Sequence, residues 1–251
     1  MAYTIAVAGK GGTGKTTISS LIVAALLADN RTPILAVDAD PNTNLNEWLG
    51  VEVTGTLGDL QADSLKTRSD LPAGMDKRRW IEYQLQTLLL EQDNYDLIAM
   101  GRTEGPGCYC SVNDILRAFI EELTPNYRYV VMDNEAGMEH MSRRTARDVD
   151  LLLLVSDQNP IAIRSAGRIN ELKDSLEMNV GEVHLVLNRV DGEPHEMVLA
   201  EIEKTGLNLL STVPVDDRLM QYSLEGKSLL ELPEDSPALA AVRKALNEVI
   251  K

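Results

Sequence analysis

Short apolar runs alternate with longer amphipathic segments along most of the chain. Seven runs have the length and hydrophobicity of strands buried on both faces. They cover residues 3–8, 33–38, 96–100, 127–132, 151–156, 183–187 and a stretch that ends near 213. Hydrophobic residues at helical spacing predict helices at 18–28, 76–91, 112–122, 161–176 and 237–250. This alternation predicts an α/β fold, a doubly wound, mostly parallel sheet flanked by helices, in a single domain over residues 1–251.

The turn between the first strand and the first helix, residues 9–17, is rich in glycine and fits the pattern Gly, four residues, Gly-Lys-Thr. Glycines let backbone N–H groups point inward at a helix N-terminus, which creates a site for phosphate. We expect Lys15 to reach the β- and γ-phosphates of a nucleotide and the Thr16 hydroxyl to bind Mg²⁺. The predicted nucleotide-binding residues of this loop are Gly11, Gly12, Thr13, Gly14, Lys15, Thr16 and Thr17.

Carboxylates follow two of the other predicted strands, at the edge where a parallel sheet binds ligands. Asp38 is the last residue of the second strand, Asp40 follows it, and Asp133 comes after the strand at 127–132. We expect Asp38 and Asp133 to hold Mg²⁺ or its waters, and Asp40 to orient the attacking water. The alternative for the first pair is solvation of the strand end and capping of a helix. Gly137 is predicted to place a backbone N–H at the γ-phosphate.

Two later segments are candidates for binding the base. Asn188 and Arg189 occur in Asn-Arg-Val-Asp, which is similar to the Asn-Lys-x-Asp base-recognition motif of GTPases. Pro214, Val215 and Asp216 end the last strand, and their position resembles the one where ATP-using proteins of the MinD and ParA family contact adenine. The second segment favours ATP, whereas the first keeps GTP open as an alternative.

The only cysteines are Cys108 and Cys110, in a loop rich in glycine that precedes the helix at 112–122. A helix N-terminus favours the thiolate form, which binds metals, and a disulfide between residues so close in the chain would be strained. Two thiolates do not complete a tetrahedral or square-planar site, so a metal would need both cysteines from two copies of the chain. The alternative is two small loop residues that bind no metal.

Composition narrows the classes of partner. The chain carries 24 basic and 39 acidic residues, a formal net charge of −15. That charge disfavours nucleic acid and anionic membranes as partners, because binding to both relies on positive charge. The sequence has neither an export signal nor an apolar run long enough to cross a bilayer, which predicts a cytoplasmic location.

Lys10-Gly-Gly-Thr-Gly-Lys15-Thr resembles the deviant Walker A motif of the family that contains MinD, ParA and the nitrogenase iron protein. The resemblance implies a homodimer in which Lys10 of each subunit reaches the phosphates bound by the other. It extends to Asp-Ala-Asp-Pro at 38–41, which is similar to switch I of the family, whose second aspartate (here Asp40) is needed for hydrolysis. It also extends to Asp-x-x-Ala-Gly at 133–137, which is similar to switch II. The activity implied is hydrolysis of ATP.

The Gly-Cys-Tyr-Cys segment at 107–110, together with residues 133–140, resembles the CooC-type nickel-insertion ATPases and the related AcsF type. That resemblance implies Ni²⁺, with Zn²⁺ in competition, bound by Cys108 and Cys110 of both subunits. The implied client is carbon monoxide dehydrogenase or acetyl-CoA synthase. Two alternatives remain: a positioning ATPase like ParA or MinD, and an Fe–S electron donor like the nitrogenase iron protein. The lack of a cysteine after residue 110 disfavours the electron donor.

Overall fold

The computed structural model describes residues 2–60, 77–101, 118–135, 148–175 and 179–250. Within them, eight strands form one sheet in the order β3-β4-β2-β5-β1-β6-β7-β8. The strands are β1 (Tyr3–Gly9), β2 (Ile34–Ala39), β3 (Leu90–Glu91), β4 (Tyr95–Ala99), β5 (Tyr129–Asn134), β6 (Asp148–Ser156), β7 (Asn179–Val190) and β8 (Leu209–Pro214).

All neighbouring strands run parallel except the short edge strand β3, which pairs antiparallel with β4. Strand β5 lies between β2 and β1, and its register places Asp133 beside Asp38 of β2 and beside Val7 of β1. The carboxyl ends of these three strands therefore meet at one point of the sheet edge, which is where ligands bind in sheets of this type.

Residues 57–60 and 118–123 are helical and adjoin residues outside the described ranges. The structure gives both bounds of seven further helices, which accompany the sheet. They are α1 (Lys15–Ala28), α2 (Leu45–Leu49), α3 (Lys77–Thr87), α4 (Pro160–Ser175), α5 (Glu196–Thr205), α6 (Asp217–Glu225) and α7 (Pro237–Val249). Two short 3₁₀ turns, Thr124–Asn126 and Leu229–Glu231, complete the elements.

The two faces of the sheet pack into two separate apolar cores. One core joins α1 and α7 to the sheet through residues such as Ile18, Leu21 and Val242. The other joins α3, α4 and α5 to the opposite face through residues such as Ile81 and Ile163. Because each strand is covered on both sides, its sequence is an unbroken apolar run rather than an alternating one.

The predicted α/β class and the mostly parallel sheet are confirmed, with two local differences. The helix expected over 76–91 ends at Thr87, and Leu90–Glu91 instead forms the edge strand β3. The strand expected over 183–187 extends to Val190, so that Asn188 and Arg189 lie within β7 rather than after it. The helix expected at 112–122 falls partly outside the described residues; its described part, 118–122, is helical, and the helix continues to residue 123.

The C-terminal helix α7 packs its apolar residues Leu239, Val242 and Leu246 against α1 and β8, where they are buried. Across the described ranges, none of the helices combines the length and the apolar character that crossing a bilayer would need.

Candidate nucleotide-binding site

The phosphate loop leaves the sheet at Gly9, the last residue of β1. Its φ of 153° suits glycine, and a Cβ there would lie 2.2 Å from the carbonyl oxygen of Val155 on β6. The loop ends at Gly14, a left-handed residue that forms the N-cap of α1. Between them, the Thr13 hydroxyl donates a 2.8 Å hydrogen bond to the Lys10 carbonyl and closes the turn. The first N–H groups of α1 have no partner within the helix, so this turn presents them to an anion.

Side chains at the end of strand β7 hydrogen bond to the backbone of the phosphate loop. The Asn188 side-chain nitrogen donates to the Thr13 carbonyl at 2.9 Å, and its oxygen accepts from the Arg189 N–H at 2.9 Å. A Cβ on Gly14 would lie 2.3 Å from that Asn188 nitrogen, so only glycine fits this contact. The Arg189 guanidinium donates to the Gly12 carbonyl at 3.1 Å. The two residues predicted to read the base thus hold the loop in shape, and base contact stays a prediction for both.

Asp38 is fully buried at the end of β2 and shapes the segment that follows. Its Oδ1 accepts from the Asp40 N–H at 3.1 Å, and its Oδ2 accepts from the Leu45 N–H at 2.9 Å. The pKa of Asp38 is raised to about 7, mainly because the side chain is buried. The hydrogen bond from the Leu45 N–H acts to lower this pKa, and the neighbouring Asp133 carboxylate acts to raise it. Asp38 therefore fixes the 40–45 turn beside the phosphate loop, while its role toward a magnesium-bound water stays a prediction.

Asp133 is 1% exposed and lies beside the start of α1. Its Oδ1 accepts a 3.0 Å hydrogen bond from the Ser19 hydroxyl, whereas its Oδ2 has no hydrogen-bond partner among the described residues. The pKa of Asp133 is raised to about 6, mainly because the side chain is buried. The Thr16 and Ser19 hydroxyls and the Lys15 ammonium act in the opposite direction and lower this pKa. A buried carboxylate oxygen without a donor, on a side chain hydrogen bonded to a hydroxyl at the start of α1, fits the oxygen ligands that Mg²⁺ requires.

The phosphate loop, Asp40 and Arg189 line one cleft of about 540 Å³, a size that suits a nucleotide, whereas Asp38 and Asp133 are not among its lining residues. The phosphate loop forms its floor, and Asp40 stands in its wall with Oδ1 accepting from the N–H and the amide of Asn42 at 2.8 and 3.0 Å. Lys10 precedes the cleft residue Gly11 and is exposed. The lining comprises Gly11, Gly12, Gly14, Lys15, Thr16, Thr17, Asp40, Asn42, Asn44, Glu47, Trp48, Glu135, Arg189, Tyr222, Ser223, Gly226 and Lys227.

The segment Pro214, Val215 and Asp216 lies outside that lining. The Asp216 carboxylate caps two helices: it accepts from the Arg218 N–H of α6 at 3.0 Å, and from the Ser236 hydroxyl at 2.6 Å before α7. The exposed side chain of Val215 and the backbone of the segment remain for the predicted adenine contact.

Some predicted residues cannot be placed. Gly137, Cys108 and Cys110 lie outside the described residues. Among the residues that are described, no three or more histidine, cysteine, aspartate or glutamate side chains gather into a possible metal site.

Sequence reasoning missed the wall of the cleft opposite the phosphate loop, formed by α2 and α6. Trp48 of α2, Tyr222 of α6 and Lys227, which follows α6, belong to no nucleotide-binding motif. The signal available was a pair of helix caps: Asp216 at the N-cap of α6, and Gly226 in the left-handed conformation after its last turn. That pair predicts a helix at 217–225, although not what it faces.

A mostly parallel sheet with a phosphate loop after its central strand β1, and with carboxylates at the ends of the neighbouring β5 and of β2 beyond it, defines a P-loop nucleotide-binding protein. The model of the CobQ/CobB/MinD/ParA nucleotide binding domain matches residues 4–230. The chain belongs to this family.

Several relatives match over nearly the whole chain. An uncharacterized ATP-binding protein of Methanocaldococcus jannaschii is 40% identical, with 98% of each chain covered. The carbon monoxide dehydrogenase accessory protein CooC of Rhodospirillum rubrum is 26% identical, over 93% of this chain and 90% of its own. Among solved structures, MinD of Pyrococcus horikoshii with Mg-ADP superposes with a TM-score of 0.72 at 22% identity, covering 100% of this chain and 97% of its own. At that identity, the likeness concerns the fold.

Proposed function

We propose that this chain is a homodimeric, ATP-hydrolysing metallochaperone. It binds Ni²⁺, with Zn²⁺ in competition, through Cys108 and Cys110 of both subunits. It couples the binding and hydrolysis of ATP to insertion of nickel into carbon monoxide dehydrogenase or acetyl-CoA synthase. The nucleotide half of the proposal is carried by one observation, the unpartnered oxygen of Asp133 beside the N-terminus of α1.

The phosphate loop has the parts that a nucleoside triphosphate requires. The backbone N–H groups at the start of α1 and the Lys15 ammonium bind the β- and γ-phosphates. The Thr16 hydroxyl and the free oxygen of Asp133 are the groups that would hold Mg²⁺. When bound, Mg²⁺ offsets negative charge on the phosphates.

Asp40 is the residue we assign to the hydrolytic water. Its carboxylate lines the cleft and is held in place by Asn42 and by the turn fixed on Asp38. Water attacks the γ-phosphorus, the bond from that phosphorus to the β–γ bridging oxygen breaks, and ADP and inorganic phosphate leave. The exposed Lys10 of each subunit supplies positive charge to the phosphates bound by the other, as the family resemblance implies.

The hydrolytic assignment is tested with Asp40→Ala, and with Asp93→Ala as the control. Asp93 is exposed in the turn that enters β4, at the amino end of the strand and away from the cleft. We expect Asp40→Ala to bind ATP with wild-type affinity and to lose turnover by roughly 10²-fold or more, as for loss of a residue that activates the nucleophile. Normal turnover in Asp40→Ala would show that Asp40 has another role.

The metal half rests on the cysteine pair and on the similarity to CooC. Four thiolates from two subunits form a complete set for Ni²⁺ or Zn²⁺, which the pair in one chain does not. Two features argue against a positioning ATPase of the MinD or ParA type. The net charge is −15, and α7 buries its apolar residues against α1 instead of presenting them to a membrane.

The metal site is tested by nickel and zinc stoichiometry under anaerobic, reducing conditions, alongside the oligomer size. We expect one metal per dimer in the wild type and none in Cys108→Ser/Cys110→Ser. ATP turnover by the variant serves as the control for folding. Metal that survives the double substitution would contradict the site. Brown protein with bound iron and sulfide would instead indicate an Fe–S electron donor, and binding to DNA or liposomes would indicate a positioning ATPase.

A further inference from the structure

Gly101, which comes just after β4, is buried against Thr56 with no room for a side chain. Its φ is 64°, a conformation that favours glycine. A Cβ at this position would lie 2.2 Å from the Thr56 Oγ1, 2.4 Å from its Cβ and 2.8 Å from its Cγ2. Cys108 and Cys110 follow Gly101 a few residues later in the chain. Thr56 therefore fixes the backbone that leads to both thiols.

Thr56 is itself held in one position by a reciprocal helix cap. Its N–H and its hydroxyl both donate to the Asp59 Oδ2, at 2.9 and 2.7 Å. The Asp59 N–H donates back to the Thr56 hydroxyl at 3.2 Å. The helical residues 57–60 are anchored from below, because Leu57 and Leu60 are buried in the core that contains Ile81. Gly101 thus packs against a fixed surface.

Met100 connects this contact to the edge of the sheet that binds phosphate. Its N–H donates to the Asp38 carbonyl at 2.8 Å, and its carbonyl accepts from the Gly58 N–H at 2.8 Å. The Asp38 carboxylate at the same time accepts from the N–H groups of Asp40 and Leu45, which bound the turn beside the cleft. One buried residue, Asp38, therefore contacts both this turn and the backbone that leads to the cysteines.

We propose that Thr56 and Gly101 are positioning residues that orient the segment with Cys108 and Cys110 and make its thiols respond to the bound nucleotide. When ATP replaces ADP and the turn at 40–45 adjusts to the γ-phosphate, Asp38 carries the change to Met100. Gly101 then moves against Thr56, and because that contact is close-packed, the cysteine segment changes direction with it. The inference rests on the proposed function, in which the nucleotide controls metal binding, and it adds the contact through which that control passes.

The test uses the thiols as reporters and needs no metal. Cys108 and Cys110 are the only cysteines of the chain, so the rate of alkylation by iodoacetamide reports on this segment alone. The rate is measured on the full-length protein with a metal chelator that leaves Mg²⁺ bound, at saturating ADP and at a saturating non-hydrolysable ATP analogue. We expect the two rates to differ by at least about fivefold, the lower end of coupling between sites. Equal rates in the wild type would overturn the inference.

Variants of the contact should remove this nucleotide dependence. Gly101→Ala drives a methyl group into Thr56, and Thr56→Ala removes the hydroxyl and the methyl that Gly101 packs against, so we expect the ratio of the two rates to fall to near one in both. Thr56→Ser keeps the hydroxyl and its bonds to Asp59 and should restore most of the wild-type ratio.

Gly206→Ala is the matched control. Gly206 has a φ of 67°, and no heavy atom lies within 4 Å of a Cβ built there, so the substitution adds the same backbone strain without a collision. The wild-type ratio should remain in this variant. Loss of the ratio in Gly206→Ala would assign the effect to lowered stability and would overturn the inference.

Circular dichroism and the melting temperature show which variants fold, and the Thr56 pair carries the test if Gly101→Ala does not. A wild-type ratio in folded Thr56→Ala would overturn the inference and leave the proposed function standing. Thiol rates that depend on nucleotide in the wild type and lose this dependence in Thr56→Ala would support the positioning contact. If that same protein bound neither nickel nor zinc, only the proposed function would be contradicted.

Discussion

Asp133 and Asp216 each come at the end of an apolar strand, and each is buried, but their carboxylates have opposite surroundings. Asp133 lies in β5 near the centre of the sheet, and one of its oxygens finds no donor among the described residues. Asp216 follows β8 at the sheet edge, and its oxygens accept from Arg218, Ser236 and Ala238. A buried oxygen without a donor is costly unless a ligand supplies the missing partner.

From this difference we expect Asp133 to serve the ligand and Asp216 to serve the fold. In the middle of a parallel sheet, the neighbouring backbone N–H groups are used by the strand ladders, so Asp133 depends on hydroxyls and on whatever the cleft binds. Beyond the edge strand two helices begin, and their unpaired N–H groups satisfy Asp216 completely. We therefore expect substitution of Asp133 to reduce mainly ATP turnover, and substitution of Asp216 to reduce mainly the stability of the fold.

The largest expected effect is on turnover in Asp133→Asn. The amide keeps the shape of the side chain but loses the charge that would hold Mg²⁺, so we expect ATP turnover to fall by roughly 10³-fold, several kcal/mol of transition-state stabilisation. Without Mg²⁺, its free energy of unfolding near neutral pH should equal or exceed that of the wild type, because a buried charge has been removed. Steady-state kinetics and urea titration measure the two quantities. Wild-type turnover would contradict the assignment.

The pH dependence of stability should follow from the two carboxyls at the centre of the sheet edge. In the folded protein the pKa of Asp38 is raised to about 7 and that of Asp133 to about 6, against about 4 for an unfolded chain. The folded state therefore binds more protons between these values, and the free energy of unfolding should fall as pH rises from about 4 through about 7.

Urea titrations with a magnesium chelator and no nucleotide measure this slope directly. Asp133→Asn should show a shallower decline, because only Asp38 remains to contribute. Stability that rises over the same interval in the wild type would mean that these carboxyls are not buried as described.

A smaller effect on stability is expected for Asp216→Ala. The change removes the N-cap of α6 and leaves the buried Ser236 hydroxyl without its acceptor, so we expect a loss of about 2 kcal/mol in the free energy of unfolding. Turnover measured well below the melting temperature should stay close to the wild type. A stable variant with lost ATP affinity would reverse the comparison, because Asp216 would then serve the ligand.

The smallest effect is expected for Arg189→Ala. The guanidinium makes one exposed hydrogen bond to the Gly12 carbonyl, and such bonds contribute about 1 kcal/mol, or a few-fold in ATP affinity through the shape of the loop. Asn188→Ala, which removes a buried bond to the same loop, should cost more. If Arg189→Ala instead changes the preference between ATP and GTP, Arg189 contacts the base as the motif predicted.

The sequence was sufficient for the parts of the fold that depend on local pattern. Unbroken apolar runs identified strands buried on both faces, and residues 9–17 identified the phosphate loop, because glycine spacing and the flanking elements are local properties. The same reasoning placed Asp38, Asp40 and Asp133 at one edge of the sheet. Placing these aspartates together did not require the order of the strands, because parallel strands end at a common edge of the sheet.

The remaining features depend on contacts between distant segments. Asn188 matched a base-recognition motif, yet its amide supports Thr13, because β7 ends directly behind the phosphate loop. Asp216 matched an adenine-binding position; its oxygens accept from Arg218 and Ser236, and adenine contact by this segment stays a prediction. Trp48 carried no motif at all. Whether a polar atom is free for a ligand is decided by its neighbours in space, which residue spacing does not encode.

In the proposed function, the nucleotide bound at the phosphate loop controls metal binding by the cysteine pair, and nickel affinity reports this coupling. Nickel affinity is determined anaerobically for the wild type with ADP and with a non-hydrolysable ATP analogue, alongside Cys108→Ser/Cys110→Ser. We predict affinities that differ by about tenfold between the two nucleotide states, and no nickel binding by the double variant. Equal nickel affinity with both nucleotides would contradict the account, because a ligand shifts an equilibrium only by its difference in affinity for the two states.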